Sequence, residues 1–118
     1  MILSLASRIV SDIVVLALSG KLQFSERALS DKINSLLTEG HRRFIINLSG
    51  ITHIDAFGLG QLVIAWTLIE NKGGDIWFSQ PSTRVLRLLH ITKLDTIFQI
   101  IKAESEILEE LPRELSLV

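Results

Sequence analysis

Residues 47–60 read NLSGITHIDAFGLG, in which an apolar strand passes through a turn and directly into the start of a helix at Asp55. The first backbone N–H groups of a helix have no partner inside it, so a helix that begins near Phe57 or Gly58 leaves several donors facing outward. Asp55 is placed to accept from them as an N-cap, which commonly contributes about 1 kcal/mol. We call the junction between this strand and the start of the helix the tip. We interpret the tip as a binding surface rather than a catalytic pocket.

The rest of the chain alternates between strand and helix patterns. Ser11-Asp12 favours a turn between two aliphatic runs, and we expect Ser25 to be an N-cap and Gly40 to end a helix. The predicted elements are strands over residues 2–9 and 13–18, a helix over 25–37, a central strand over 44–48, the helix after Asp55, a strand over 75–78, a helix opened by Pro81-Ser82, a strand over 97–101 and a helix over 104–111. This order predicts an α/β fold, a mixed β-sheet of about five strands with about four helices packed on it.

Composition narrows the possible functions. The 118 residues fit one domain over residues 1–118, with 47% hydrophobic and 21% charged residues. A net charge of -1 and a single short basic run at residues 41–43 argue against a nucleic-acid partner. The apolar runs are far shorter than the roughly 20 residues that cross a bilayer. With no secretory signal at the first residues, we expect a cytoplasmic protein without membrane insertion.

No pattern of catalytic or metal-binding residues is present. There is no cysteine, and the histidines at positions 41, 53 and 90 have no ligand spacing. Phosphate loops and nucleophile elbows are absent, and a nucleotide fingerprint fails because Val63 stands where its third glycine would be. The glutamates of residues 104–110 fit the solvated face of an amphipathic helix. We therefore expect a protein that is not an enzyme and holds no cofactor or metal.

Three further segments accompany residues 55–60 along the chain: residues 20–22 (GKL), 71–75 (NKGGD) and 81–89 (PSTRVLRLL). In this order the segments resemble STAS domains of the bacterial anti-sigma factor antagonist type. The resemblance implies a sheet with helices packed on one side. It also implies a protein partner that is both an anti-sigma factor and a serine kinase, and that binds the antagonist only when the antagonist is unphosphorylated.

The sequence departs from that family pattern at the regulatory site. Ala56 stands where the resembling antagonists carry the phosphorylated serine, Phe57 replaces the next serine, and Gln23 replaces an aspartate near the site. Because Ala56 has no hydroxyl, phosphorylation at this position is lost. Thr52, Ser49 and Ser25 are possible substitute acceptors, Thr52 first among them, although such hydroxyls more often serve turns or caps.

The predicted partner-binding surface combines the loop after the second strand with the start of the helix. Phe57 is either a partner anchor or a ring that folds back to staple the helix start, and Phe24 raises the same alternatives. Gly58 and Gly60 have no Cβ, so they either allow a partner to approach closely or only serve the turn. Ile64 and Leu68 fall off the main apolar stripe and face a partner or other helices. The predicted binding residues are Gln23, Phe24, Asp55, Ala56, Phe57, Gly58, Leu59 and Gly60.

Two functions follow from these observations. The first is an anti-sigma factor antagonist-like regulator that has lost phospho-switching at Ala56. The alternative is a STAS scaffold or structural subunit of a larger complex, either a stress-sensing assembly or a lipid transporter. In both cases a homodimer is possible, formed through the hydrophobic N-terminal strand and residues 115–118 (LSLV).

Overall fold

A computed structural model of the chain describes residues 3–23 and 27–109. The elements follow the predicted order. They are β1 (Ser4–Val10), β2 (Ile13–Leu22), α1 (Ala28–Thr38), β3 (Arg43–Ile54), α2 (Ala56–Asn71), β4 (Asp75–Ser79), α3 (Thr83–Ile91), a 3-10 turn (Leu94–Thr96), β5 (Gln99–Ile101) and α4 (Ser105–Leu108).

The five strands form one mixed sheet in the order β1-β2-β3-β4-β5. β1 runs antiparallel to β2, and every later neighbouring pair is parallel. β3 lies in the centre, as its nearly continuous apolar run predicted, because a strand with neighbours on both edges and cover on both faces contains few polar residues. The predicted fold class is confirmed.

The two faces of the sheet are covered unequally. Alternate residues of β2, such as Val14 and Leu16, enter the main core with buried residues of α1, α2 and α3. Ile13 and Val15 point to the opposite face, where Ile107 of α4 packs against them. The resemblance implied helices on one side, which holds for the three long helices but not for α4. None of the helices in the described ranges combines the length and apolarity needed to span a membrane.

Several boundaries differ from the prediction. β3 continues to Ile54, where a turn was expected, because residues 50–54 still pair with the end of β2. Gly50 permits this continuation, since a Cβ there would lie 2.5 Å from the Leu18 carbonyl oxygen. α3 begins at Thr83 with Ser82 as N-cap, so Pro81 precedes the helix. β5 begins at Gln99 and not at Ile97, because the preceding residues form the 3-10 turn.

The other differences concern the edges of the described ranges. α1 begins at Ala28, and Arg27 at its N-cap position makes no side-chain capping bond. The predicted cap Ser25 lies outside the described residues, as do residues 110 and 111 of the predicted last helix. α4 therefore extends over Ser105–Leu108 within the described part.

Gly40 ends α1 as predicted, with a φ of 102° that favours glycine.

Candidate functional site

The predicted cap of α2 is confirmed. Asp55 has an extended backbone, and its Oδ1 accepts a hydrogen bond of 2.7 Å from the Gly58 N–H. The Asp55 carbonyl accepts the first helical bond, 2.9 Å from the Leu59 N–H. The carboxylate thus satisfies one of the helix donors that would otherwise be unpaired, and its charge lies at the positive end of the helix dipole.

Gly58 fixes α2 against the end of β2. A Cβ built on Gly58 would lie 1.9 Å from the Leu22 carbonyl oxygen, so no other residue fits without moving the backbone. Gly60 is different, because a Cβ there would meet no atom within 4 Å. The close approach that Gly58 allows is therefore to its own chain, whereas the space beside Gly60 is open.

The loop after β2 is tied to α2 by a side chain that the sequence analysis missed. The Gln61 Nε2 donates to the Gln23 carbonyl oxygen at 2.5 Å, which brings the predicted residue Gln23 beside the first turns of α2. A signal for this role was present, since Gln61 is the first polar side chain after Asp55 in an otherwise apolar stretch. Phe24, the next predicted residue, lies outside the described residues.

The outward side of α2 is apolar over its first turns, up to Ile64, and polar beyond them. Phe57 is 68% exposed and Ile64 is 49% exposed, and with Gly60 between them these residues share one side of the helix because they are three and four positions apart. We call Phe57, Gly60 and Ile64 the α2 docking face. The exposed fraction of Phe57 shows that its ring does not fold back into the core. Leu68, in contrast, packs against the main core.

No charged residue occurs from position 56 to position 69. A surface helix normally carries polar or charged residues on its outward side, and a helix that is apolar all round is normally buried. α2 buries one side through Leu59, Leu62, Ala65 and Ile69 and leaves the α2 docking face in solvent. Such an exposed apolar surface is typical of protein interaction sites.

Of the candidate phosphate acceptors near the tip, Thr52 has a hydroxyl that is engaged in a structural contact. Ala56 is exposed at the first position of α2 and offers no acceptor for phosphate. The Thr52 Oγ1 donates to the Gly20 carbonyl oxygen at 3.1 Å, which links β3 to β2. The contact at Ser49 is different, because its backbone N–H, and not its hydroxyl, donates to the Asn47 Oδ1 at 2.9 Å.

The cavity beside residues 51–54 is too small to enclose a substrate. The cavity between residues 51–54 and the start of α3 has a volume of about 10 Å³, which is close to the minimum for one water molecule. Within residues 3–23 and 27–109, no three His, Asp or Glu side chains are close enough to hold a metal ion. Asp55, Ala56 and Phe57 are themselves exposed at the surface.

Comparison with known proteins identifies the family. The STAS domain model matches residues 4–107. The chain belongs to the STAS domain family. A relative provisionally named an anti-sigma factor antagonist, from Thermotoga neapolitana, is 34% identical over 105 residues, 87% of this chain and 93% of that protein. The anti-sigma-B factor antagonist of Bacillus subtilis is 31% identical over 83 residues, 70% of this chain and 74% of that protein.

A solved structure gives the same result for the fold. The crystal structure of a protein provisionally named an anti-sigma factor antagonist, from Thermotoga maritima, superimposes with a TM-score of 0.80 at 31% identity and covers 90% of this chain and 92% of that one. The protein is thus a STAS protein that is similar to anti-sigma factor antagonists.

A second polar cluster in this STAS protein lies on the α4 side of the sheet. Glu104 pairs with Arg8 of β1, and its Oε2 accepts from the Asn47 Nδ2 at 2.5 Å. The same Asn47 amide donates to the Gln80 Oε1 at 2.8 Å. Burial raises the pKa of Glu104, but the hydrogen bonds from Asn47 and Arg8 and the charge of Arg8 outweigh it and hold the pKa below its ordinary value. This cluster holds the start of α4 on the sheet.

Proposed function

We propose that this STAS protein is a cytoplasmic anti-sigma factor antagonist that binds an anti-sigma factor of the serine kinase type and so frees a sigma factor. The contact would involve the loop at Gln23 and Phe24, residues 55–60 and the α2 docking face. Within this set Gly58 and Leu59 are buried, so they would shape the surface, while Ala56, Phe57 and Gly60 would meet the partner.

One observation carries the proposal. Phe57, a large aromatic side chain, is mostly exposed close after the Asp55 cap, on a part of α2 that has no charged residue before Glu70. Interface hot spots are enriched in aromatic residues at the centre of a desolvated patch, and truncation of a hot spot costs about 2 kcal/mol or more. Phe57 would be such an anchor, and Ile64 would extend the contact by two turns of helix.

Ala56 would make the activity constitutive. In the resembling antagonists a phosphoserine at this position prevents binding, because it adds close to two negative charges to the surface that docks. Ala56 cannot be phosphorylated, so the protein would remain in the binding-competent state. Thr52 would be a poor replacement, because its hydroxyl is used by the Gly20 carbonyl. Regulation would then act through the amount of protein or through the choice of partner.

Calorimetric titration against kinase-type anti-sigma factors encoded in the same genome would test the proposal. Phe57→Ala should weaken binding by about 30-fold, the equivalent of 2 kcal/mol. Ile91→Ala is the matched control, because Ile91 is also 68% exposed but lies on α3. It should change the affinity by less than about threefold. Equal losses in the two variants, or no binding by any of these anti-sigma factors, would contradict the proposal.

Affinity purification separates this function from the structural-subunit alternative. Recovery of a soluble kinase-like anti-sigma factor, lost in Phe57→Ala and kept in Ile91→Ala, supports antagonism. Recovery of a transporter ATPase or a large assembly of homologous STAS proteins supports the role of a subunit. The two results differ in the identity of the recovered protein, which mass spectrometry determines.

A further inference from the structure

Within the part of the chain that the structure describes, the outer edge of β1 is an open strand edge. β1 pairs with β2 through seven consecutive residue pairs without irregularity, and no strand of the described residues pairs with its other side. An open edge presents a row of backbone donors and acceptors that can pair with another chain. The opposite edge of the sheet is β5, which is only three residues long. Short edge strands are one means by which proteins avoid such pairing, and β1 does not use it.

Among residues 3–23 and 27–109, β1 has few of the other protective devices. It contains no proline, and its single charged residue, Arg8, is drawn toward α4 by the ion pair with Glu104. Ile9 is 57% exposed although it lies opposite Val14, a member of the main core. The helices that cover the centre of the sheet therefore leave the Ile9 end of β1 uncovered.

We propose that β1 pairs antiparallel with β1 of a second copy, to join the two sheets into one sheet of twice the width. This inference is independent of the proposed function. A two-fold axis perpendicular to the sheet keeps every side chain on its own face, and an axis through Ser7, the middle residue of Ser4–Val10, brings the whole strand into register.

The sequence of β1 is self-complementary in this register. Leu5, Ser7 and Ile9 share the helix-side face, since their partners Leu18, Leu16 and Val14 all belong to the main core. The axis places Ile9 opposite Leu5 of the second copy, and the reciprocal pair forms by symmetry. Aliphatic cross-strand pairs of this kind stabilise antiparallel sheets. The exposed Ile9 would gain a cover that its own helices do not supply.

Charge favours the same register. Arg8 would lie opposite Ala6 of the second copy, so no two like charges face each other directly. An axis through Arg8 would instead oppose the two arginines, which destabilises strand pairing. The Glu104 carboxylate accompanies each Arg8, so the junction carries balanced charges. Because the axis preserves the faces, both α2 docking faces would lie on the same side of the dimer.

Sedimentation equilibrium of the full chain over a wide concentration range tests the inference. The wild-type protein should reach twice the 13.2 kDa chain mass. Ile9→Lys should weaken association by roughly tenfold or more, because it places a charge in each of two symmetric apolar contacts. Ile97→Lys is the control: Ile97 is 50% exposed, far along the chain next to β5, and this variant should dimerise like wild type.

Hydrogen exchange supplies a second readout that does not depend on the variants. In the wild-type protein the amides of β1 should exchange more slowly as the protein concentration rises. As a separate control for the sedimentation experiment, circular dichroism should show that both lysine variants are folded. A monomeric mass at all concentrations would overturn the inference. So would a dimer that Ile9→Lys leaves intact, or one whose β1 amides show no protection that depends on concentration.

Discussion

The backbone of Gly58 rests against the Leu22 carbonyl, so closely that a Cβ on Gly58 would lie 1.9 Å from that oxygen. This contact joins the start of α2 to the end of β2. It sets the position of the neighbouring residues of the α2 docking face, Phe57 and Gly60. The geometry of the α2 docking face therefore depends on a residue that is itself buried.

Gly58→Ala should destabilise the protein by about 1–3 kcal/mol, the usual cost of forcing extra atoms into a packed site. Gly60→Ala is the matched control, because its Cβ would meet open space. Alanine is favoured over glycine inside a helix by about 1 kcal/mol, so this variant should be as stable as wild type or more so. Urea denaturation measures both changes. Equal stabilities of the two variants would show that the close contact with the Leu22 carbonyl does not make a Cβ at position 58 costly.

Asp55 combines a capping role with a charge at the proposed interface, and two substitutions separate them. Asp55→Ala should lose about 1 kcal/mol of stability because the Gly58 N–H loses its acceptor. Asp55→Asn should stay within about 0.5 kcal/mol of wild type, since asparagine caps helices about as well. A thermal denaturation series gives the stabilities. If the partner recognises the charge, Asp55→Asn will bind it more weakly than wild type despite normal stability.

Ala56→Ser should restore a phosphorylation site. The new hydroxyl would lie at the exposed first position of α2, where the helix N-terminus favours a phosphate group. Incubation with the partner kinase and ATP, followed by intact-mass spectrometry, should show one added phosphate in Ala56→Ser and none in wild type. Phosphate on Thr52 or another hydroxyl of the wild-type protein would contradict constitutive activity.

Glu104 should make stability depend on pH. Its pKa in the folded protein is lowered, so its contribution is present above the ordinary glutamate pKa of about 4.3 and is lost as pH falls through the lowered value. Glu104→Gln should therefore be less stable than wild type at neutral pH, and the difference should shrink in acid. Denaturation midpoints across pH measure this. Glu109→Gln, an exposed neighbour, is the control and should follow wild type throughout.

The sequence predicted those parts of the fold that local patterns determine. The Asp55 cap, the Gly40 stop and the central position of β3 each rest on residue type and short-range periodicity, and the structure confirms them. The extension of β3 to Ile54 was not predicted, because residues 49–53 contain Ser, Gly and Thr, which read as a turn. Pairing with the end of β2 keeps them in a strand, and that pairing is a tertiary contact.

The candidate site was predicted in outline only. The motif located the tip, but the exposure of Phe57 could not be separated from a stapled ring without knowing where the core lies. Gln61 was missed because its bond to the Gln23 carbonyl joins residues 38 positions apart in the chain. α4 was predicted as a helix, but its place on the far face depends on Ile13, Val15 and Ile45, which no local pattern connects to it.

β3 pairs with β4 only as far as Asn47, and beyond it the strand has β2 as its sole neighbour among the described strands. The end of the molecule that presents Asp55 is thus mounted on a two-stranded ribbon, while the remainder is held by the full sheet. Local opening costs less free energy where fewer contacts must break. The end of β3 near Asp55 should therefore adjust its conformation to a bound partner, while the full sheet stays rigid. One strand thus contains both the adaptable part and the part that maintains the fold.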